Sequence, residues 1–280
     1  MKRVRSEFVA DRSARAWHLM TSSEAAAAAS EDPVVIMPLA AIEQHGPHLP
    51  LSTDLDIALG LIERAFDFLP KDVAAWTLPP VSVGTSEEHM TAPGTLSLSP
   101  DQLIGVIVSQ GAALARAGVR RLVLANSHGG NRHVMNEAGL MLRAKHDMLV
   151  VKASYFLFSP PKDVNLPDSE WRHGLHGGAI ETAMMLHLQP GLVRSEAITR
   201  FSSLGEDLED VMRRLGPEGQ ASFAWLAEDL NPEGVVGDAA LASAFLGERL
   251  VEHYARALAD VILDACEFPI DRLGSAHGSL

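Results

Sequence analysis

Glu43, His45, His48, Asp54 and Asp56 are crowded into AAIEQHGPHLPLSTDLDIA (40–58), directly after the apolar run PVVIMPL (33–39). Carboxylates and imidazoles at this density are the ligand chemistry of divalent metals. Glu43 and His45 are two apart, so in extended chain both side chains leave on one side. Pro47 and Pro50 stiffen the loop that would bring a carboxylate opposite them, and either Asp54 or Asp56 could bridge two ions. The bland alternative, histidines packed locally and acids in solvent, ranks second for such a cluster. His128 in ANSHGGN follows another apolar run, with Gly129 and Gly130 freeing the backbone to approach a ligand. An incidental His in a Gly-rich turn explains that segment alone equally well. In LHGGAIET, His176 stands at a predicted helix entrance and Glu181 in the second turn, where a helix N-terminus favours a neutral imidazole or a bound anion. Taken alone, Glu181 reads as a solvated helix residue.

The elements that must position these groups alternate between strand and helix. PVVIMPLA (33–40), AAWTLPPVSVG (74–84, with a loop at its end), RRLVLAN (120–126) and DMLVVKASYF (147–156) predict strands, the first buried on both faces. DIALGLIERAFDFL (56–69) has helical periodicity. Ser99 as cap, Pro100 at the first position and Gly118 as the stop frame a second helix. Thr21 and Glu24 have capping-box spacing ahead of an alanine run. Further helices are predicted over 132–145, 177–189 and 238–266, and 200–236 reads as a polar excursion or partner contact. This alternation predicts an α/β fold, a three-layer αβα sandwich around a mostly parallel sheet, in a single domain over 1–280 with its core at about 17–265. In such sheets ligands gather at the carboxyl ends of strands. IEQHG, GTSEEH and NSHGGN each follow a predicted strand, and that recurrence is stronger than any one cluster.

Composition narrows the partners. A net charge of −13 argues against nucleic acid or an anionic membrane as the main partner, though a bound metal can invert the field locally for a small anionic substrate. No apolar run is long enough to span a bilayer. MKRVRSEFVADRSARAW lacks the apolar stretch of a secretory signal. Cys266, the single cysteine, excludes an intrachain disulfide, leaves a reducing cytoplasm as the expected compartment, and reads as a small core hydrophobe. Neither GxGxxG nor GxxxxGK[ST] occurs, which weakens a nucleotide-binding reading.

PLAAIEQHGPHLPLSTDLDIA, GTSEEHMTAPGTLSLS, NSHGGN, HGGAIETAMM and NPEGVVGDAALASAFLGERL resemble, in this order, the landmarks of the creatininase-like amidohydrolases, over about residues 17–260. The resemblance implies a hexameric three-layer α/β enzyme with two divalent ions per chain, Zn, Mn or Fe. Its metal ligands fall on Glu43, His45, Asp54 (bridging) and His128, leaving His48 and Asp56 as supporting residues. Its catalytic His falls on His176, and Ser86 on a substrate contact. Creatinine-hydrolysing members look like NGHYEN where this chain has NSHGGN, so Gly130 replaces their second-metal Glu and Gly129 their Tyr. Their Trp-Asp pair falls on Arg172 and His173, with Trp171 one residue off. Ser86, Gly129, Arg172 and His173 are therefore the candidate substrate contacts. Glu181 is expected to complete the second metal, or else to serve as a base. Arg172 and Arg132 suggest an anionic substrate, unless they are plain surface charges. The expected reaction is hydrolysis, by a metal-activated water, of a non-peptide C–N bond in a small cyclic amide other than creatinine. The alternatives are hydrolysis of a formamidopyrimidine-like formamide and a non-catalytic metal-binding homologue.

Overall fold

The computed structural model describes residues 15–274. At its centre lies a four-stranded sheet of β1 (Val34–Leu39), β2 (Ala75–Thr77), β3 (Arg121–Asn126) and β4 (Leu149–Ser154), ordered β2-β1-β3-β4 with every pairing parallel. The helices are α1 (Ser22–Ala29), α2 (Thr53–Phe68), α3 (Pro100–Arg116), α4 (Arg132–His146), α5 (Asp168–His173), α6 (Ala179–Leu188), α7 (Leu204–Glu209), α8 (Ala227–Leu230) and α9 (Ala244–Glu267). β1 and β3 are buried at every position, which is why 34–39 and 122–125 read as continuous apolar runs. Val34 and Ile36 face a core shared with α2, α6 and α9, whereas Val35, Met37 and Leu39 face one shared with α3 and α4. The result is the expected αβα sandwich. No helix among the described residues is long and apolar enough to cross a membrane.

Local chemistry accounts for several boundaries. Thr21 with Glu24 and Ser99 with Gln102 form capping boxes on α1 and α3. Gly118 takes φ +99° just beyond α3, a conformation that strains residues with a Cβ. Pro38 sits in a central strand, where a missing N–H normally interrupts the ladder. Its carbonyl accepts from the Val81 N–H at 2.9 Å, and a strand residue turns its nitrogen and carbonyl to the same side. The nitrogen of Pro38 thus faces the side where β2 has already ended, and no ladder bond is lost.

The elements differ from expectation where the site is built. α2 begins at Thr53 rather than at 56, so Asp54 joins Asp56 in its first turn instead of lying in the preceding loop. α6 begins at Ala179, after Gly177 with φ +68°, which puts Glu181 in the first turn and His176 ahead of the helix. α9 begins at Ala244 rather than 238. Gly237 and Asp238 are held extended against Arg200 and Phe201, and Ser243 accepts from the Leu246 N–H to start the helix. The end of the 200–236 excursion returns to the entrance of α6, where Val236 donates its N–H to the His176 carbonyl at 2.8 Å.

Candidate metal centre

Four segments converge at the carboxyl end of the sheet. The loop after β1 brings Glu43 and His45, the first turn of α2 brings Asp54, the loop after β3 brings His128, and the entrance to α6 brings His176 and Glu181. Asp54 divides its two oxygens between two groups. Oδ2 lies 3.3 Å from His128 Nδ1, which is 3.2 Å from Glu43 Oε1. Oδ1 lies 3.7 Å from His45 Nε2, which is 3.8 Å from Glu181 Oε2. Glu43–Asp54–His128 and His45–Asp54–Glu181 are each compact enough to surround a cation. Asp54, which the family resemblance implies as the bridging residue, is the member common to both groups. The pairing of His45 with Glu181 brings together positions far apart in the chain.

Backbone carbonyls, which only accept, fix the histidine tautomers. His128 Nε2–H donates to Thr85 O at 2.6 Å and His45 Nδ1–H to Glu43 O at 3.1 Å. The opposite nitrogen of each ring is thereby left as an inward lone pair, as in a metal ligand oriented from behind. His176 Nε2–H likewise donates to Gln44 O at 2.8 Å, and its Nδ1 faces Glu43 Oε1 at 3.7 Å. Glu181 is held through Oε2 by the Gly177 N–H at 2.7 Å and through Oε1 by the Tyr155 hydroxyl at 3.4 Å.

This donor set fits divalent ions. Both carboxylate oxygens of Glu43, Asp54 Oδ2 and His45 Nε2 are buried without a hydrogen-bond partner. Glu43 and Asp54 are 0% and 2% exposed, and buried carboxylates without cations are strongly penalised. Without metal, protons stand in. Burial pulls the His45 imidazole down, but the carboxylate of Asp54 beside it, then Glu181 and Glu43, push it up to about 9. Burial also opposes protonation of His128, yet Glu43 and Asp54 raise it well above its ordinary value. Asp54 is driven the other way, against burial, by the imidazoles of His128 and His45 beside it.

Several residues that the sequence did not single out support the centre. The Gln44 amide is locked in orientation, because Oε1 accepts from the Gly46 N–H at 2.9 Å and Nε2 donates to Gly234 O at 2.6 Å. Its second N–H meets His89 Nδ1 at 2.9 Å, so His89 carries its proton on Nε2, which faces Glu43 Oε1 at 3.5 Å. Burial, reinforced by His176 and His45, keeps His89 neutral. The buried carboxylate of Glu170 accepts from the N–H groups of Ala179 and Asp238, both at 2.6 Å, and so ties the entrance of α6 to the 237–238 strand. A Cβ at Gly174 or Gly178 would come within 2.4–2.5 Å of that carboxylate. The polar GTSEEH cluster at a strand end was the available signal for His89, but only Ser86 was drawn from it.

The other expected site residues divide. Ser86 is buried with Oγ 3.4 Å from His128 Nε2. Gly129 opens the short turn after His128, with no atom within 4 Å of where a Cβ would stand. Arg172 and His173 are not brought to the cluster. They engage Glu209 of α7 at 3.1 and 2.9 Å, because Glu170 is the residue that α5 turns inward. Arg132 pairs with Glu218 at the surface. Asp56 accepts from Ser52 Oγ at 2.7 Å at the start of α2, and His48 bridges to Gly177 O and Thr182 Oγ1, so both have supporting roles.

Comparison with known proteins identifies similar enzymes over most of the chain. The creatinine amidohydrolase (creatininase) family model matches residues 18–262. The chain is 32% identical to a mycofactocin precursor peptide peptidase of Mycolicibacterium smegmatis, over 82% of this chain and 84% of that one. It is 29% identical to creatinine amidohydrolase of Pseudomonas putida, over 86% and 92%. A solved creatininase mutant of Zn–Zn type superposes with a TM-score of 0.72 at 27% identity, covering 90% of this chain and 97% of that one.

Proposed function

The chain belongs to the creatininase family of metal-dependent amidohydrolases, and from that premise we propose that it hydrolyses an amide bond of a peptide-like substrate at a two-ion centre. Glu43, Asp54 and His128 would hold one ion, and His45, Asp54 and Glu181 the other. The observation that carries this reading is the division of Asp54 between two donor groups that include buried atoms without hydrogen-bond partners. Divalent ions held there supply Lewis acidity and bring the ionisation of water close to neutral pH.

The proton carrier in this reading is His176. Burial, then the nearby His45 charge, pulls it down to about 4, so the ring is neutral. With Nε2–H committed to the Gln44 carbonyl, the free lone pair is on Nδ1. His176 therefore accepts a proton from the attacking water first and returns it to the leaving nitrogen second. Transfer of this kind contributes about 10²–10⁴-fold to rate. Glu181 serves as a ligand rather than a base, since the oxygen that faces His45 also takes the Gly177 N–H.

A peptide-like substrate is supported by the likeness to the mycobacterial peptidase and by the open space beside Gly129. A small cyclic amide is the second reading, favoured by the likeness to creatinine amidohydrolase. The test combines metal content with a substrate panel of short peptides, cyclic amides including creatinine, and formamides. About two zinc ions per chain, fewer in His128→Ala, together with peptide cleavage, is the expected outcome. Zinc-loaded protein that cleaves only the cyclic amides or formamides would overturn the substrate assignment. Full metal content in His128→Ala would overturn the site.

A further inference from the structure

We propose that the centre contains an alternative seat for its second ion, formed by Glu43, His45 and His176, and that an ion there idles the enzyme. This inference rests on the two-ion reading above. Three imidazoles at the centre are built alike, each with one ring nitrogen tied to a backbone carbonyl and the other turned inward. That is the arrangement of an oriented metal ligand, and His176 has it as fully as His45 and His128. The inward Nδ1 of His176 lies 3.7 Å from Glu43 Oε1, the same separation as His45 Nε2 from Asp54 Oδ1. Donor atoms of Glu43, His45 and His176 all lie within 4.8 Å of one another, and the His45 and His176 rings are 4.1 Å apart.

His45 Nε2 has a single lone pair, so an ion bound through it occupies either the Asp54–Glu181 seat or the Glu43–His176 seat. The two are exclusive. Glu43 has capacity for the second role, since neither of its buried oxygens has a hydrogen-bond partner. An ion in the Glu43–His176 seat takes the Nδ1 lone pair that would otherwise carry the proton. The chain then retains both ions but has no proton carrier.

The test is zinc stoichiometry together with X-ray absorption to count imidazoles around zinc, on the full-length zinc-loaded protein. Parent protein in the working arrangement has two imidazole ligands for its ion pair. In Glu181→Gln the expected result is retention of both ions with three imidazoles bound. Adding His176→Gln in that background should then release one ion. Loss of one ion in Glu181→Gln alone, unchanged by adding His176→Gln, overturns the second seat and leaves the two-ion reading standing. Retention of both ions in the double variant also overturns it. Fewer than two ions in the parent overturns both readings together. Glu181→Asp, which withdraws the carboxylate by one methylene, serves the same comparison if Gln at 181 prevents folding.

Discussion

Replacing Gly130 with alanine adds one methyl group at the most confined point of the centre. A Cβ there would stand 2.2 Å from Thr85 O, 2.5 Å from His128 Nε2 and 2.8 Å from Glu88 Oε1, where ordinary carbon contacts begin near ~3.5 Å. The end of Glu88 can swing aside. The Thr85 carbonyl cannot move without releasing His128, whose Nε2–H it accepts at 2.6 Å. The ring would then turn, and Nδ1 would leave Glu43 and Asp54. Overpacking of this kind costs about 1–3 kcal/mol. Loss of the hydrogen bond that orients a metal-binding imidazole costs about 10–100-fold in affinity, equivalent to about 1.4–2.8 kcal/mol. About 10–100-fold weaker zinc affinity is therefore expected, and the overpacking lowers the melting temperature. Competition against a chromophoric chelator measures it. Gly129→Ala is the control, because nothing lies within 4 Å of its Cβ position and its zinc affinity should match the parent. If Gly130→Ala bound zinc within about threefold of the parent, short of the tenfold minimum, the argument that Thr85 orients His128 would be refuted.

Protonation should shape the stability of the chelated protein. Burial holds His48 and His176 at about 4, below their ordinary 6.5, so the unfolded chain takes up protons that the folded chain refuses and stability falls as pH drops from 6.5 towards 4. His45, raised to about 9, contributes stability that is complete below 6.5 and lost as pH rises through 9. Thermal midpoints should therefore peak near pH 6.5, and a steady climb from pH 6.5 to 9 would contradict this. At position 89, glutamine preserves an N–H near the place of His Nε2 and leucine removes it. His89→Gln should keep the zinc affinity of the parent while His89→Leu lowers it, and equal affinities in the two variants would refute the tautomer imposed by Gln44.

The sequence by itself determined the layered architecture and the kind of chemistry. Continuous apolar runs at 34–39 and 122–125 fit the middle of a parallel sheet, and capping residues such as Ser99 act within their own helix turn. Ligand types clustered at strand ends, so Glu43, His45, Asp54 and His128 were legible as candidates. Tertiary structure decided which atoms face one another. Asp54 reaches two groups from a helix turn, and Glu181 meets His45 across 136 positions. Arg172 and His173, two and three residues beyond the inward Glu170, turn to Glu209 instead. His89 gained a role only because Gln44 is locked by Gly234, 190 residues away in the chain. The physical reason is that burial pattern and capping are properties of a few neighbouring residues, whereas a histidine tautomer or a carboxylate's facing is set by whichever distant backbone carbonyl or N–H the fold brings within hydrogen-bonding distance.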